Sequence, residues 1–190
     1  MILVPILSND ATAVLTGENL QAVGITTGLY YLDALLIKPG LKVLSSLSSI
    51  SELIKEVPNI ILDASRIKFN QEGIAKILSP YDGSTIKVQR QEIEALVRQL
   101  GGSVVRDDMI ITDLPIQDAI AGKVYSVEGI IAITDVAYKH QHLALSEGCV
   151  CPTCELNLTR AYFHHLYQET PLLSQRYLAM HNLSQYSFNR

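Results

Sequence analysis

The chain's three cysteines all fall within six residues, Cys149, Cys151 and Cys154, in the pattern C-x-C-x-x-C. A borderline-soft divalent ion, zinc above all, takes four such donors in a tetrahedron, and a tight loop can supply three of them. The fourth must come from elsewhere, and His164, His165 and His181 follow on. A helix leaving the knuckle and a second one returning would bring "AMHNL" back to the cysteines. His181 is therefore favoured over His164 and His165, which sit on the outgoing helix beside Ala161, Tyr162 and Leu166, one facing the partner helix and the other solvent. The alternatives are three buried thiols without a metal, or a three-ligand zinc with an open position. Nothing nearby offers the acidic base that metal-activated water usually needs.

The rest of the composition narrows the setting. The chain has 190 residues, 48% hydrophobic and 18% charged, enough apolar material for a core. A net charge of −4 gives no global basic field for nucleic acid, so any RNA contact must come from a local patch. No apolar run approaches the roughly 18 residues of a membrane span. "MILVPILSND" lacks a basic leader region and breaks at Pro5, so no secretory leader is expected. A cytoplasmic setting follows as the default; thiols stay reduced there, so clustered cysteines read as metal ligands rather than disulfides.

The elements that must position these residues are readable in part. "ILVPIL" and "NIILDAS" (59–65) are buried strands. "GENLQAVGI" (17–25) is a short helix, and Pro39-Gly40 a turn or stop. "SSISELIKEVPN" predicts a helix with a serine cap and Glu52 in its first turn. "STIKVQRQEIEALVRQLGG" (84–102) predicts a long one, with Ile86, Ile93, Leu96, Val97 and Leu100 on one side. A strand is expected near Met109–Thr112, a hairpin through Glu128-Gly129, and helices near Thr159–Glu169 and Leu172–Leu183. Strands alternating with helices indicate an α/β fold with a partly parallel sheet. The turn near 144–148 suggests two units, residues 1–145 and a metal-binding unit, residues 146–190.

The stretch "CVCPTCELNLTRAYFHHLYQETPLLSQRYLAMHNL" resembles the C-terminal zinc subdomain of the tRNA-guanine transglycosylases (queuine tRNA-ribosyltransferases). That family's pattern is C-x-C-x-x-C, then (S/T)RAYxHHL, then a distal HN; here these are Cys149, Cys151, Cys154, Thr159 to Leu166, and His181-Asn182. The resemblance implies a Zn2+ site with His181 as fourth ligand. Upstream, "TGLYYLDALLIKPG" looks like N-T-Y-H-L-x-x-x-P-G and "NIILDASRIKF" like the strand ending in D-S-G-G-Y-Q. "ILSPYDGSTIKVQRQEI" looks like the L-S-P-E segment, and "DLPIQDAIAGKVYS" like the segment around L-P-T-R.

The family fold is a (β/α)₈ barrel of about 250 residues or more, yet 148 residues precede Cys149. The expectation is a truncated, TIM-barrel-like α/β unit with a C-terminal zinc-binding helical subdomain. The family exchanges guanine for a deazaguanine through an aspartate nucleophile and a second aspartate in proton transfer. Asp63 matches the second aspartate, but Ala64-Ser65-Arg66 replaces the Ser-Gly-Gly after it. The nucleophile's place falls on Ile111, with Asp113 the nearest carboxylate, and Gln117 stands for the arginine of L-P-T-R. Without the resemblance, Asp63 reads as a strand-end or helix-capping carboxylate and Asp113 as a turn starter.

Three functions follow. The first is a non-catalytic subunit or scaffold of tRNA modification, pairing with itself or with a catalytic relative. The second is an active base-exchange enzyme using Asp63 and Asp113. The third is a zinc-stabilised RNA-binding module with contacts from Lys139, His140, Arg160, His164 and Arg176, a thin patch whose binding would be weak and salt-sensitive.

Overall fold

The structure, a computed structural model, describes residues 1–103 and 105–188. Strand β1 (Ile2–Val4) leads into helix α1 (Gly17–Ala22), whose start is fixed by Thr16 and Asn19 exchanging side-chain and backbone hydrogen bonds. Then come β2 (Thr27–Tyr31), α2 (Leu32–Leu35), α3 (Leu41–Ser46) and β3 (Asn59–Asp63). The antiparallel pair β4 (Ile74–Leu78) and β5 (Thr85–Gln89) runs into α4 (Arg90–Leu100). β6 (Met109–Ile111), α5 (Leu114–Ile120) and the hairpin of β7 (Lys123–Ser126) and β8 (Gly129–Ala132) follow. Two helices, α6 (Arg160–Glu169) and α7 (Pro171–Phe188), close the chain.

The apolar runs form a parallel layer in the order β6–β1–β2–β3. β6 pairs with β1 in the register Val4↔Ile111, and β2 with β3 in the register Leu29↔Ile61 and Tyr31↔Asp63. β1 joins β2 through the Ile6–Leu29 bridge, and Ser103 touches the outer edge of β3. Parallel strands are covered on both faces and so read as continuous apolar runs. Leu3, Tyr30 and Ile60 enter the main core, whereas Val4, Leu29 and Ile61 form a second cluster with Ile6, Tyr31, Met109 and Ile111. Among the described residues the fold is mixed α/β and no closed eight-stranded barrel forms. No helix among them is long and apolar enough to cross a membrane.

Two expected helices are corrected. Residues 48–57 make only a single 3₁₀ turn, Ile50–Glu52. The Ser49–Glu52 capping box forms, but the chain then turns extended, because Val57 precedes Pro58 and Ile54 and Val57 are drawn into the core. The segment 84–102 is not one helix. Ile86 and Val88 alternate with Lys87 and Gln89, and this period of two with β-branched residues makes β5. The helix starts at Arg90 and ends at Gly101, whose φ of +69° suits only glycine.

α7 packs on α5, α6 and β7 and on the first turn at Asp10–Val14. Its Leu178, Ala179 and Leu183 are fully buried, and one hydrophobic cluster runs from Leu3 to Leu183. The metal-binding segment therefore shares its core with the first hundred residues.

Candidate metal centre

Cys149 and Cys151 lie in the loop before a short 3₁₀ turn, Cys154–Leu156, and Asn157 in a left-handed conformation redirects the chain toward α6. Thr159 caps α6 by accepting the Tyr162 N–H. α6 runs out and α7 returns, and the return brings His181 to the three thiols. The Nδ1 of His181 is 3.7 Å from Cys149 Sγ, 3.4 Å from Cys151 Sγ and 3.3 Å from Cys154 Sγ. All four donor atoms lie within 4.8 Å of one another. Zn–S bonds of about 2.3 Å and Zn–N bonds of about 2.1 Å give a tetrahedron with S···N edges of about 3.6 Å. The donor set and its spacing fit a tetrahedral divalent ion, and these four residues can hold one.

The surroundings prepare the ligands. His181 Nε2 donates to the Tyr125 carbonyl at 2.7 Å, which leaves Nδ1 facing the sulfurs. Gln185 Nε2 donates to Cys149 Sγ at 2.9 Å, and the Cys154 N–H to Cys151 Sγ at 3.4 Å. The protein groups alone must share charge awkwardly. The hydrogen bond from Cys154, and then His181, hold the Cys151 thiol down at about 3 against the cost of burial. The same bond to Cys151 pushes Cys154 up, with burial adding to it. Burial would raise Cys149, yet His181 and the Cys151 N–H win and lower it. Burial likewise opposes charge on His181, but Cys149, Cys151 and the Tyr125 carbonyl raise it to about 9. A divalent cation lets all three sulfurs ionise against a neutral imidazole.

The other histidines are placed apart. His164 is buried, its Nδ1 donating to the Ile133 carbonyl at 2.9 Å and its Nε2 beside the Gln168 amide at 3.2 Å, while His165 is exposed. His165 faces solvent as expected of one of the pair, whereas the polar partners of His164 are Ile133 at the end of the hairpin and Gln168 on its own helix rather than the partner helix. Burial also breaks up the imagined RNA-contact face. Arg160 is buried and spends its guanidinium on the carbonyls of Ala144 and Leu145 and on Glu128. Lys139, His140 and Arg176 remain exposed, so Lys139, Arg160, His164 and Arg176 do not share one surface patch.

The two carboxylates at the strand ends are each engaged locally. Asp63 Oδ1 accepts the Ser65 N–H at 2.7 Å, an Asx turn. Asp113 Oδ2 accepts a short hydrogen bond from Asn9 and another from Gln117 at 2.7 Å. They close β3 and β6, three strand spacings apart in the sheet order, on the order of 14 Å along a flat sheet. Ile111 packs into the Val4–Leu29–Ile61 cluster. Arg66 lies over the Tyr31 ring, 4.4 Å from its centre, and pairs with Asp33 at 3.2 Å. Two supports of the metal cluster, Tyr125 and Gln185, had no sequence signal: one acts through its carbonyl, the other is an ordinary glutamine on a helix.

Comparison with known proteins agrees with this geometry. Residues 107–188 match the family model described as queuine tRNA-ribosyltransferase. The queuine tRNA-ribosyltransferase of Sorangium cellulosum is 37% identical over 91 residues, which are 48% of this chain and 22% of that protein. The protein of the same name from Ruegeria pomeroyi is 34% identical over 83 residues, 43% of this chain and 22% of its own length. That of Clostridium perfringens is 35% identical over 77 residues, 40% and 20% respectively. The match thus spans about a fifth of the length of these curated relatives. The similarity to the queuine tRNA-ribosyltransferase family lies in the C-terminal part of the chain, residues 107–188.

Proposed function

We propose that this chain is a zinc-bearing, transglycosylase-like subunit that serves tRNA modification by pairing with itself or with a catalytic relative, and exchanges no base alone. The observation that carries this is Ile111: it stands where the resemblance puts the nucleophile, and its alkyl side chain is part of an apolar cluster. A covalent route needs a nucleophile to split one displacement into two. Arg66 supports the same reading, since a guanidinium stacked on Tyr31 replaces the glycine that would let a planar base approach the backbone.

The fold belongs with this reading. Val4, Leu29 and Ile61 come from three adjacent parallel strands and stack as one layer, as inward residues of a (β/α) barrel do. We read residues 1–145 as a partial barrel of this kind and residues 146–190 as its zinc unit, located in the cytoplasm. Zinc, held by Cys149, Cys151, Cys154 and His181, would supply a structural cross-link between the knuckle and α7. The stretch from residue 136 to residue 162 also leaves Val136, Leu143, Val150 and Tyr162 exposed. Apolar side chains in that number suit association, and a stable complex would bury at least about 1,000 Å² in total. RNA contact would fall to the exposed Lys139 and Arg176.

The test is incorporation of labelled guanine into tRNA by the purified chain, with and without a full-length relative. No exchange alone, together with a complex on size-exclusion chromatography with light scattering, is expected. Exchange by the isolated chain, abolished by Asp113→Asn, would establish the enzyme reading with Asp63 and Asp113 instead. A strict monomer that binds neither tRNA nor a relative would end the scaffold reading.

A further inference from the structure

We propose that Asn182 and Asp118, acting through the backbone of β7, are positioning residues that set the fourth metal ligand before the metal arrives. The inference rests on the metal reading above. His181 Nε2 faces a carbonyl, that of Tyr125, at 2.7 Å. A carbonyl accepts only, so Nε2 carries the proton and Nδ1 keeps its lone pair for the ion. The ligand's tautomer and ring angle therefore depend on where the Tyr125 carbonyl is held.

It is held by two latches. The first is Asn182, the residue after the ligand. Its Oδ1 accepts the N–H of Tyr125 at 3.0 Å, and its Nδ2 donates to the carbonyls of Lys123 at 2.9 Å and Pro115 at 3.1 Å. One amide thus ties β7 to α7 and to the start of α5. Its carbonyl oxygen and both amide protons are used, and it is fully buried. The second latch is Asp118 of α5. The Tyr125 hydroxyl donates to its Oδ2 at 2.8 Å, and Lys123 Nζ pairs with its Oδ1 at 3.1 Å. Asp118 is buried, while the Lys123 side chain is half exposed.

The need for latches is physical. β7 and β8 form a two-stranded hairpin with no third strand among the described residues, and such a hairpin is marginal alone. A carbonyl on a loose hairpin would let the imidazole rotate or change tautomer, and ligating histidines lose affinity when the partner of their second nitrogen is disturbed. Aspartate cannot stand in for Asn182: a carboxylate has no donor for Lys123 and Pro115 and would set charge against two carbonyls.

The test is zinc affinity, by competition with a chromogenic chelator, for the wild-type chain, Asn182→Asp and Tyr125→Phe. A second readout is the exchange of the His181 Nε2 proton with water in the zinc-loaded protein, followed by NMR. A loss of about 10- to 100-fold in affinity is expected for Asn182→Asp, with a smaller loss for Tyr125→Phe and faster proton exchange in both. Circular dichroism reports whether each variant folds; should Asn182→Asp fail to fold, Tyr125→Phe decides. Wild-type affinity and a protected Nε2 proton in the folded variants would overturn the inference and leave the metal reading intact. A wild-type chain that retains no zinc would overturn the metal reading itself.

Discussion

Arg160 reaches Glu128 from inside the protein: its buried guanidinium lies 3.0 Å from a carboxylate that is 58% exposed. The arginine also donates to the carbonyls of Ala144 and Leu145, at 3.0 and 3.3 Å, and to Gln141 Oε1 at 3.5 Å, in the loop that leads to the cysteines. Arg160→Met should therefore destabilise the chain by about 1–3 kcal/mol, the cost of leaving the buried Leu145 carbonyl without a donor. Glu128→Gln should cost no more than about 1 kcal/mol, as for an exposed partner. Urea denaturation of the two variants measures both, and equal effects would mean the ion pair, not the carbonyl clamp, is what Arg160 supplies. Arg160→Lys should not restore stability, because a point charge cannot span both carbonyls.

Zinc content separates the histidines. The purified chain should hold about one zinc, His181→Ala should lose it, and His164→Ala should keep it while unfolding at a lower temperature. Elemental analysis after dialysis gives the answer, and equal content in the two variants would remove His181 from the ligand set. Acid should release the metal, because protons compete for the thiolates and the imidazole.

Alkaline pH should act on two phenols, the buried one of Tyr30 and the half-buried one of Tyr125. Burial and then the Asp118 hydrogen bond push Tyr125 above its ordinary value of 10.0, and burial with the Glu56 charge does the same for Tyr30. In both, the native state holds its proton more tightly than the unfolded chain does. Their stabilisation is complete below the unfolded value of 10.0 and declines as pH rises from there toward the raised folded values. Tyr125→Phe should make the decline above pH 10 shallower. Denaturant midpoints at several alkaline pH values test this, and parallel curves for both proteins would refute it.

Ile111→Asp is the direct attempt to restore a nucleophile. It should cost about 2–4 kcal/mol, since it removes an alkyl group from the Val4–Leu29–Ile61 cluster and puts a carboxylate beside it. Arg66 would still cover Tyr31, so no guanine exchange should appear. Exchange gained by this single change would show that the site is otherwise intact.

The metal cluster was legible because its chemistry is local: three thiols in six residues leave only the fourth ligand to find, and a helix out and a helix back supply His181. The parallel strands were legible because burial on both faces writes Ile, Leu and Val without interruption. β5 was not, since Ile86 lies on the same side as Ile93 and Leu96 at helical spacing, and only the partner strand β4 decides between the periods. The fates of Arg160 and His164 were hidden too. Both look like contact residues in sequence, and it is the loop at 141–145 and the hairpin's end at Ile133 that enclose them. The hold on His181 lies in a main-chain carbonyl, which every residue has and no sequence distinguishes.

β1 meets β6 only after most of the chain is made; the Asn9–Asp113 contact at their ends joins residues 104 apart. At synthesis rates of about 5–20 residues per second, that interval is roughly 5–20 s. For that time the β1 edge has no β6 to pair with, and Val4 waits for Ile111 to cover it. A nascent chain on the ribosome thus carries a sticky, half-finished sheet for seconds, a period in which chaperone capture competes with pairing to the wrong strand. Yield in the cell should therefore depend on how quickly residues 10–113 emerge as well as on the stability of the finished fold.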